Sequence, residues 1–175
     1  MIKHLTITFA IFAIFATASQ AQKVKKQTIK AVEGLQFSPV RISMKRNEKL
    51  QINFKNLDPN DQPHNLVIIK PGALTEIQAA SLQIGPKSLE ENYVPKHPAV
   101  LAASTLLGPD KSDTMAFTPT KKGVYQFVCT FPGHAQVMYG AIYVDERPPS
   151  DITTDPNIPE VFRAQELAKL RKSLE

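Results

Sequence analysis

With 175 residues, 42% hydrophobic and 21% charged, the chain is sized for one folded domain with appended segments and is too small for a multi-domain catalytic assembly. Fourteen prolines against seven glycines point to many turns within otherwise ordinary globular usage, which excludes wholesale disorder. The formal charge of +5 gathers near the N-terminus without interleaved aromatics, so it argues against nucleic-acid binding and favours steering toward an acidic protein partner.

Residues 1–21 begin with a cationic Lys3, continue in an apolar run from Leu5 to Ala16 and end in small residues before a predicted cut after Ala21, the pattern of a signal peptide. The run is shorter than the roughly 20 residues of a membrane span, so the mature chain is expected to be periplasmic or otherwise exported, with no integral membrane segment. Residues 22–34, carrying Lys23, Lys25, Lys26 and Lys30, read as a frayed, solvated basic segment. Residues 35–40 and 41–44 are short and β-like, and KLQINFK over 49–55 alternates so that Leu50, Ile52 and Phe54 share one face. A turn rich in Asn, Asp and Pro over 56–63 precedes His64, which opens the apolar strand HNLVII, closed by Pro71 and Gly72.

Residues 73–84 have helical composition, with Thr75 as candidate N-cap and Gly85-Pro86 as stop. The stretch to Pro109 reads as loop plus a strand at AVLAAS. TMAFT, VYQFVC and GAIYV are three further strands, and alternation turns Tyr125, Phe127 and Cys129 toward the core. This pattern predicts an all-β sandwich with Greek-key connections over residues 35–146 and a short helix-bearing insertion. Residues 147–175 form a polar, proline-rich linker and then a C-terminal helical extension from residue 158. Asn157 and Glu160 resemble a capping box there, and Leu167, Leu170 and Leu174 form a stripe that would dock on the sandwich or fray.

Cys129 is the single cysteine, so no disulfide can form within the chain, and a metal ligand or buried thiol is the natural role in an oxidising compartment. The string Cys129-Thr-Phe-Pro-Gly-His134-Ala-Gln-Val-Met138 has C-x4-H-x3-M spacing between two strand ends, and His64 can close the set from a distant strand. Each residue alone has a plainer reading: His64 a strand-end histidine, His134 a loop histidine, Met138 core filler, Cys129 a small buried hydrophobe. Together they offer two imidazoles, a thiolate and a weak thioether, the ligand set of a blue type 1 copper site. Zinc would be held poorly with Met as fourth ligand.

FVCTFPGHAQVMYGAIYV resembles the copper loop and last strand of azurin and auracyanin, and HNLVI resembles their segment carrying the first histidine ligand. The similarity runs from Leu35 to Val144 and includes the helix-bearing insertion and a YVP-then-VLA stretch similar to auracyanin. It implies a cupredoxin Greek-key β-sandwich or barrel in which Asn65 braces the ligand loops and the Phe131 backbone donates to the Cys129 sulfur. Pro63 stands where azurins have a glycine whose carbonyl approaches the metal, making Pro63 the candidate for a weak axial carbonyl. The azurin disulfide cannot form here, and the region after Glu146 has no counterpart in the family pattern. The resemblance also implies electron exit through the His134 edge, within an apolar patch to which Phe131, Pro132, Ala135 and Met44 could contribute.

The function expected is therefore transfer of single electrons between exported redox proteins, such as a c-type cytochrome and another donor or acceptor, by a monomer meeting them through a small interface. Catalysis is not expected, because His97 is the only other histidine of the mature chain and cannot build a second copper centre. A periplasmic copper carrier or storage protein is the alternative, although scattered Met44, Met115 and Met138 and a lone thiol do not suit handover of Cu(I).

Overall fold

The structure, a computed structural model, describes residues 23–85, 88–173 and 175. The expected signal peptide, Pro86 of the expected helix stop and Leu174 of the C-terminal stripe lie outside the described residues. Among the described residues, nine strands form two facing sheets. One has the order β2-β1-β4-β7, built from β1 (Val24–Val32), β2 (Gln36–Ser38), β4 (Lys49–Asn56) and β7 (Ser112–Phe117). The other has the order β3-β9-β8-β5-β6, built from β3 (Arg41–Met44), β5 (Val67–Ile69), β6 (Val100–Ala103), β8 (Gly123–Val128) and β9 (Tyr139–Val144). The two sheets do not join into a closed barrel, so the sandwich of the two expected forms is the one observed.

The expectation of a frayed basic segment over 22–34 is corrected: residues 24–32 are β1, an interior strand paired parallel to β4 from Val24↔Lys49 to Ala31↔Asn56. Its lysines obscured the period-2 pattern that folds it. Ile29 and Ala31 turn inward and are fully buried, while Lys26 and Lys30 face solvent. β4 follows its sequence pattern, with Leu50, Ile52 and Phe54 fully buried between half-buried polar neighbours. They pack against Phe37, Phe127 and Ile142, with Phe37 set edge-on to both Phe54 and Phe127.

The second sheet is covered on its outer face as well, which is why its strands read as continuous apolar runs. Over one part α1 (Leu74–Leu82) packs Ile77 and the adjoining Ala73 on Val67, Ile69 and Val128. Thr75 does not cap this helix. The N-cap is Ala73, with no side-chain bond, and the helix ends at Gln83, ahead of Gly85.

Over β9 lies the C-terminal segment. A 3-10 turn at Ile152–Thr154 leads to the fully buried Asp155, which accepts hydrogen bonds from Tyr143 Oη (2.6 Å) and the Asn157 amide (2.9 Å) and pairs with Arg41 (3.3 Å). Asn157 therefore serves this clasp and makes no capping box; Pro159 occupies the N-cap of α2 (Glu160–Lys172). Ile158, just ahead of the helix, and Phe162 in its first turn dock against Ala141 and Tyr143, and Gln36 of β2 donates to Gln165 (2.6 Å). The expected docking of the leucine stripe is not observed: Leu167 and Leu170 are 41% and 53% exposed because only the first turns of α2 reach the sheet.

Candidate metal centre

Cys129 follows the end of β8 and Met138 precedes β9, so the antiparallel pairing of those strands brings the two ends of the loop together. The Cys129 amide donates to the Met138 carbonyl (3.0 Å), while the His134 amide donates to Phe131 (3.0 Å) and the Met138 amide to His134 (2.8 Å). These two turns need Gly133 at φ +84°, a region in which a side chain would be strained. Gln78 of α1 donates to the Ala135 carbonyl (2.9 Å), so the helix of the insertion also braces the loop.

His64 lies ahead of β5 and is tied to Leu107 by reciprocal backbone bonds of 3.0 and 2.8 Å. Asn65 joins the two halves of the site. Its carboxamide oxygen accepts from the Thr130 amide (2.7 Å), and its nitrogen donates to the Asn92 carbonyl (2.7 Å) and to Thr130 Oγ1 (2.9 Å). The result is that His64 Nδ1 and His134 Nδ1 stand 3.7 and 3.5 Å from Cys129 Sγ. Among the described residues, these three form the one group of His, Cys or acidic side chains whose ligand atoms all lie within 4.8 Å. Met138 is fully buried in the same core cluster as Cys129. Pro63 is half-buried beside His64.

Burial drives the protonation of the donors. It pushes the Cys129 thiol up to about 12, although the backbone amides of Asn65 and Phe131 hydrogen-bond the sulfur and work the other way. His134 is pushed down to about 4, first by burial and then by the neighbouring His64. His64 is also lowered by burial, opposed by Asp58. Two neutral imidazoles and a thiol that a metal must deprotonate are thus enclosed together, a soft and mixed donor set that fits copper.

Asp58 was not singled out from the sequence. Its carboxylate lies 3.0 Å from His64 Nε2, inside the turn that read as a connector. The Asp-Pro-Asn string is an ordinary turn signal and masks the carboxylate's position six residues ahead of a histidine.

Around the loop, Tyr93 packs edge-on against Phe131 at 5.0 Å, and Phe131 packs on His134 at 4.9 Å. His134 is 7% exposed. Phe131 is half-buried, and Pro132 and Gly133 are exposed. Two residues expected in a surface patch are not there. Ala135 is fully buried under α1, and Met44 is a core residue paired with Val144, at the end of β9 away from the loop. His97 is engaged elsewhere, accepting from the Ala99 amide (3.2 Å) with Glu76 at 3.8 Å.

Residues 23–145 match the family model of copper binding proteins of the plastocyanin/azurin family. The chain is 30% identical over 116 residues to auracyanin-A of Chloroflexus aurantiacus, covering 65% of this chain and 69% of that one. It is also 30% identical over 122 residues to azurin-1 of Alcaligenes xylosoxydans xylosoxydans, covering 63% and 89%. The solved auracyanin A of Chloroflexus aurantiacus, described as a blue copper protein, superposes with a TM-score of 0.60 at 28% identity, covering 70% of this chain and 99% of that one.

Proposed function

Because the chain belongs to the plastocyanin/azurin family of copper binding proteins, we propose that it is an exported shuttle for single electrons, whose copper would be held by His64, Cys129 and His134 with Met138 as a weak further donor. The observation that carries this reading is the convergence of two imidazole Nδ1 atoms and one thiol sulfur within 4.8 Å inside the protein. Bound there, copper supplies reversible one-electron chemistry between Cu(I) and Cu(II). Cys129 contributes a thiolate by releasing its proton on metal binding, and the amides of Asn65 and Phe131 stabilise that charge. The sulfur donors favour the reduced ion while the imidazoles accept either state.

Asn65 and the closed loop 129–138 hold these donors at fixed spacing, so a change of oxidation state demands little movement of the protein. His134, with Phe131, Pro132 and Gly133 around it, offers the short way to the surface, where a small and transient contact with a redox protein such as a c-type cytochrome suits the exchange. The enclosure of the donors supports a shuttle over a carrier that hands its copper on. The Pro63 carbonyl remains the candidate for a further weak axial contact.

The test is to add Cu(II) to the purified mature protein and record visible and EPR spectra beside Cys129→Ser. An intense blue band in the parent, absent from the variant, is expected; a colourless parent with full copper occupancy would overturn the assignment. Reversible voltammetry with unchanged copper content is the shuttle's signature, whereas ready transfer of the metal to an acceptor apoprotein would establish delivery.

A further inference from the structure

Asp58 is a carboxylate enclosed by the protein, with its side chain 1% exposed. One oxygen accepts from the Asn60 amide (3.0 Å) and the Asn60 side chain (2.9 Å), and the other lies 3.0 Å from His64 Nε2. A carboxylate that already accepts two hydrogen bonds from Asn60 fits its ionised, acceptor-only form. Nε2 must then carry the ring proton, which leaves the Nδ1 lone pair directed toward Cys129 Sγ.

The turn is built to keep the carboxylate there. Asn56 is fully buried, accepts from the Asp58 amide (3.1 Å) and donates to the Gln62 (2.7 Å) and Leu107 (3.0 Å) carbonyls. The same Leu107 exchanges backbone bonds with His64, so carboxylate and imidazole are fixed to one frame. His134 has no such partner for its other nitrogen among the described hydrogen bonds, and its ring rests on Phe131 instead.

We propose that Asp58 is a positioning residue that locks His64 in the Nε2–H tautomer and, through its negative charge, favours the oxidised metal. This rests on the copper reading above. A carboxylate on the far nitrogen of a ligating histidine raises ligand basicity and fixes ring orientation, and losing it typically costs 10–100-fold in metal affinity. The charge stabilises Cu(II) more than Cu(I), so its removal raises the reduction potential.

The experiment compares Asp58→Asn, Asp58→Ala and Asn60→Ala with the parent. In the metal-free proteins, ring nitrogen NMR of His64 should show Nε2–H in the parent and in Asn60→Ala, and a tautomer mixture in Asp58→Ala. In the copper-loaded proteins, both Asp58 variants should bind Cu(II) about 10–100-fold more weakly. They should also shift the Cu(II)/Cu(I) affinity ratio about tenfold, a rise of roughly 59 mV for one electron. Asn60→Ala, which loosens the turn but keeps the His64 bond, should leave the potential at the parent value. A parent tautomer and potential in Asp58→Ala would overturn the proposal while a retained blue band kept the copper reading intact. A colourless parent would sink the copper reading, and the metal-free NMR would still decide whether Asp58 fixes the tautomer.

Discussion

Replacing Asn65 by alanine tests whether the two ligand-bearing segments are joined by that side chain. The substitution strands the Thr130 amide, which loses its 2.7 Å acceptor, and the Asn92 carbonyl, which loses its 2.7 Å donor. Thr130 Oγ1 is spared because it keeps the Tyr93 carbonyl at 2.7 Å. At about 1–3 kcal/mol for each stranded buried group, and less for the partly buried Asn92, the variant should lose about 2–4 kcal/mol. With an m-value near 2 kcal/mol/M, the urea midpoint of the metal-free protein should fall by about 1–2 M, read by circular dichroism. Pairing the change with Thr130→Val should give less than the sum of the two losses, because both variants remove the bond from Asn65 Nδ2 to Thr130 Oγ1. A loss below about 1 kcal/mol, or strict additivity with Thr130→Val, would refute the bracing role.

Gly140→Ala should be more damaging than its single carbon suggests. A Cβ there would meet Phe127 Cε2 and the Val40 carbonyl oxygen, each at 2.6 Å; the ring is wedged against Phe37, and the carbonyl is fixed by the Ala141 amide. We expect a loss of about 2–3 kcal/mol, or roughly 2–4 °C of Tm per kcal/mol, and an unchanged melting curve would contradict the packing. Met138→Leu should keep copper and raise the potential, since a weak donor to the oxidised ion is lost; an unchanged potential would remove Met138 from the ligand set. In the metal-free protein, His134 is held down to about 4 by burial and by His64, while in the unfolded chain it titrates near 6.5. The unfolded state therefore binds more protons between those values, so stability is full above about 6.5 and lost as pH falls toward 4. Urea titrations at stepped pH should show a decline on the order of 2–3 kcal/mol, and a flat profile over that window would contradict a neutral, buried His134.

The sequence was readable where a strand is buried on one face only. Leu50, Ile52 and Phe54 alternate with polar neighbours, so β4 and its inward side could be named. The Cys129 to Met138 spacing was equally legible, because a short loop between paired strands leaves few ways to arrange its side chains. β1 was missed because three lysines dominate its composition, although Ile29 and Ala31 carry the pattern. Thr75 and Asn157 looked like caps, yet tertiary contacts decided otherwise: the first is an exposed residue inside α1, and the second bonds Asp155 and Tyr143. Met44 and Ala135 could not be told from surface residues, since whether an apolar side chain faces a partner or the interior depends on which elements lie over it. Asp58 was hidden for a related reason, because its importance comes from the imidazole it meets in space rather than from its place in a turn.

The clasp of Asp155 on Tyr143 and Arg41 has an evolutionary corollary. With Ile158 laid over Ala141 and Val40, the outward side of the final strand is dressed for company, and a descendant that shed its last thirty or so residues would bare a greasy stripe to water. Truncated cousins should therefore carry hydrophilic replacements at 141 and 143, while those that keep the appendage should retain the aspartate and its phenol partner as an inherited pair.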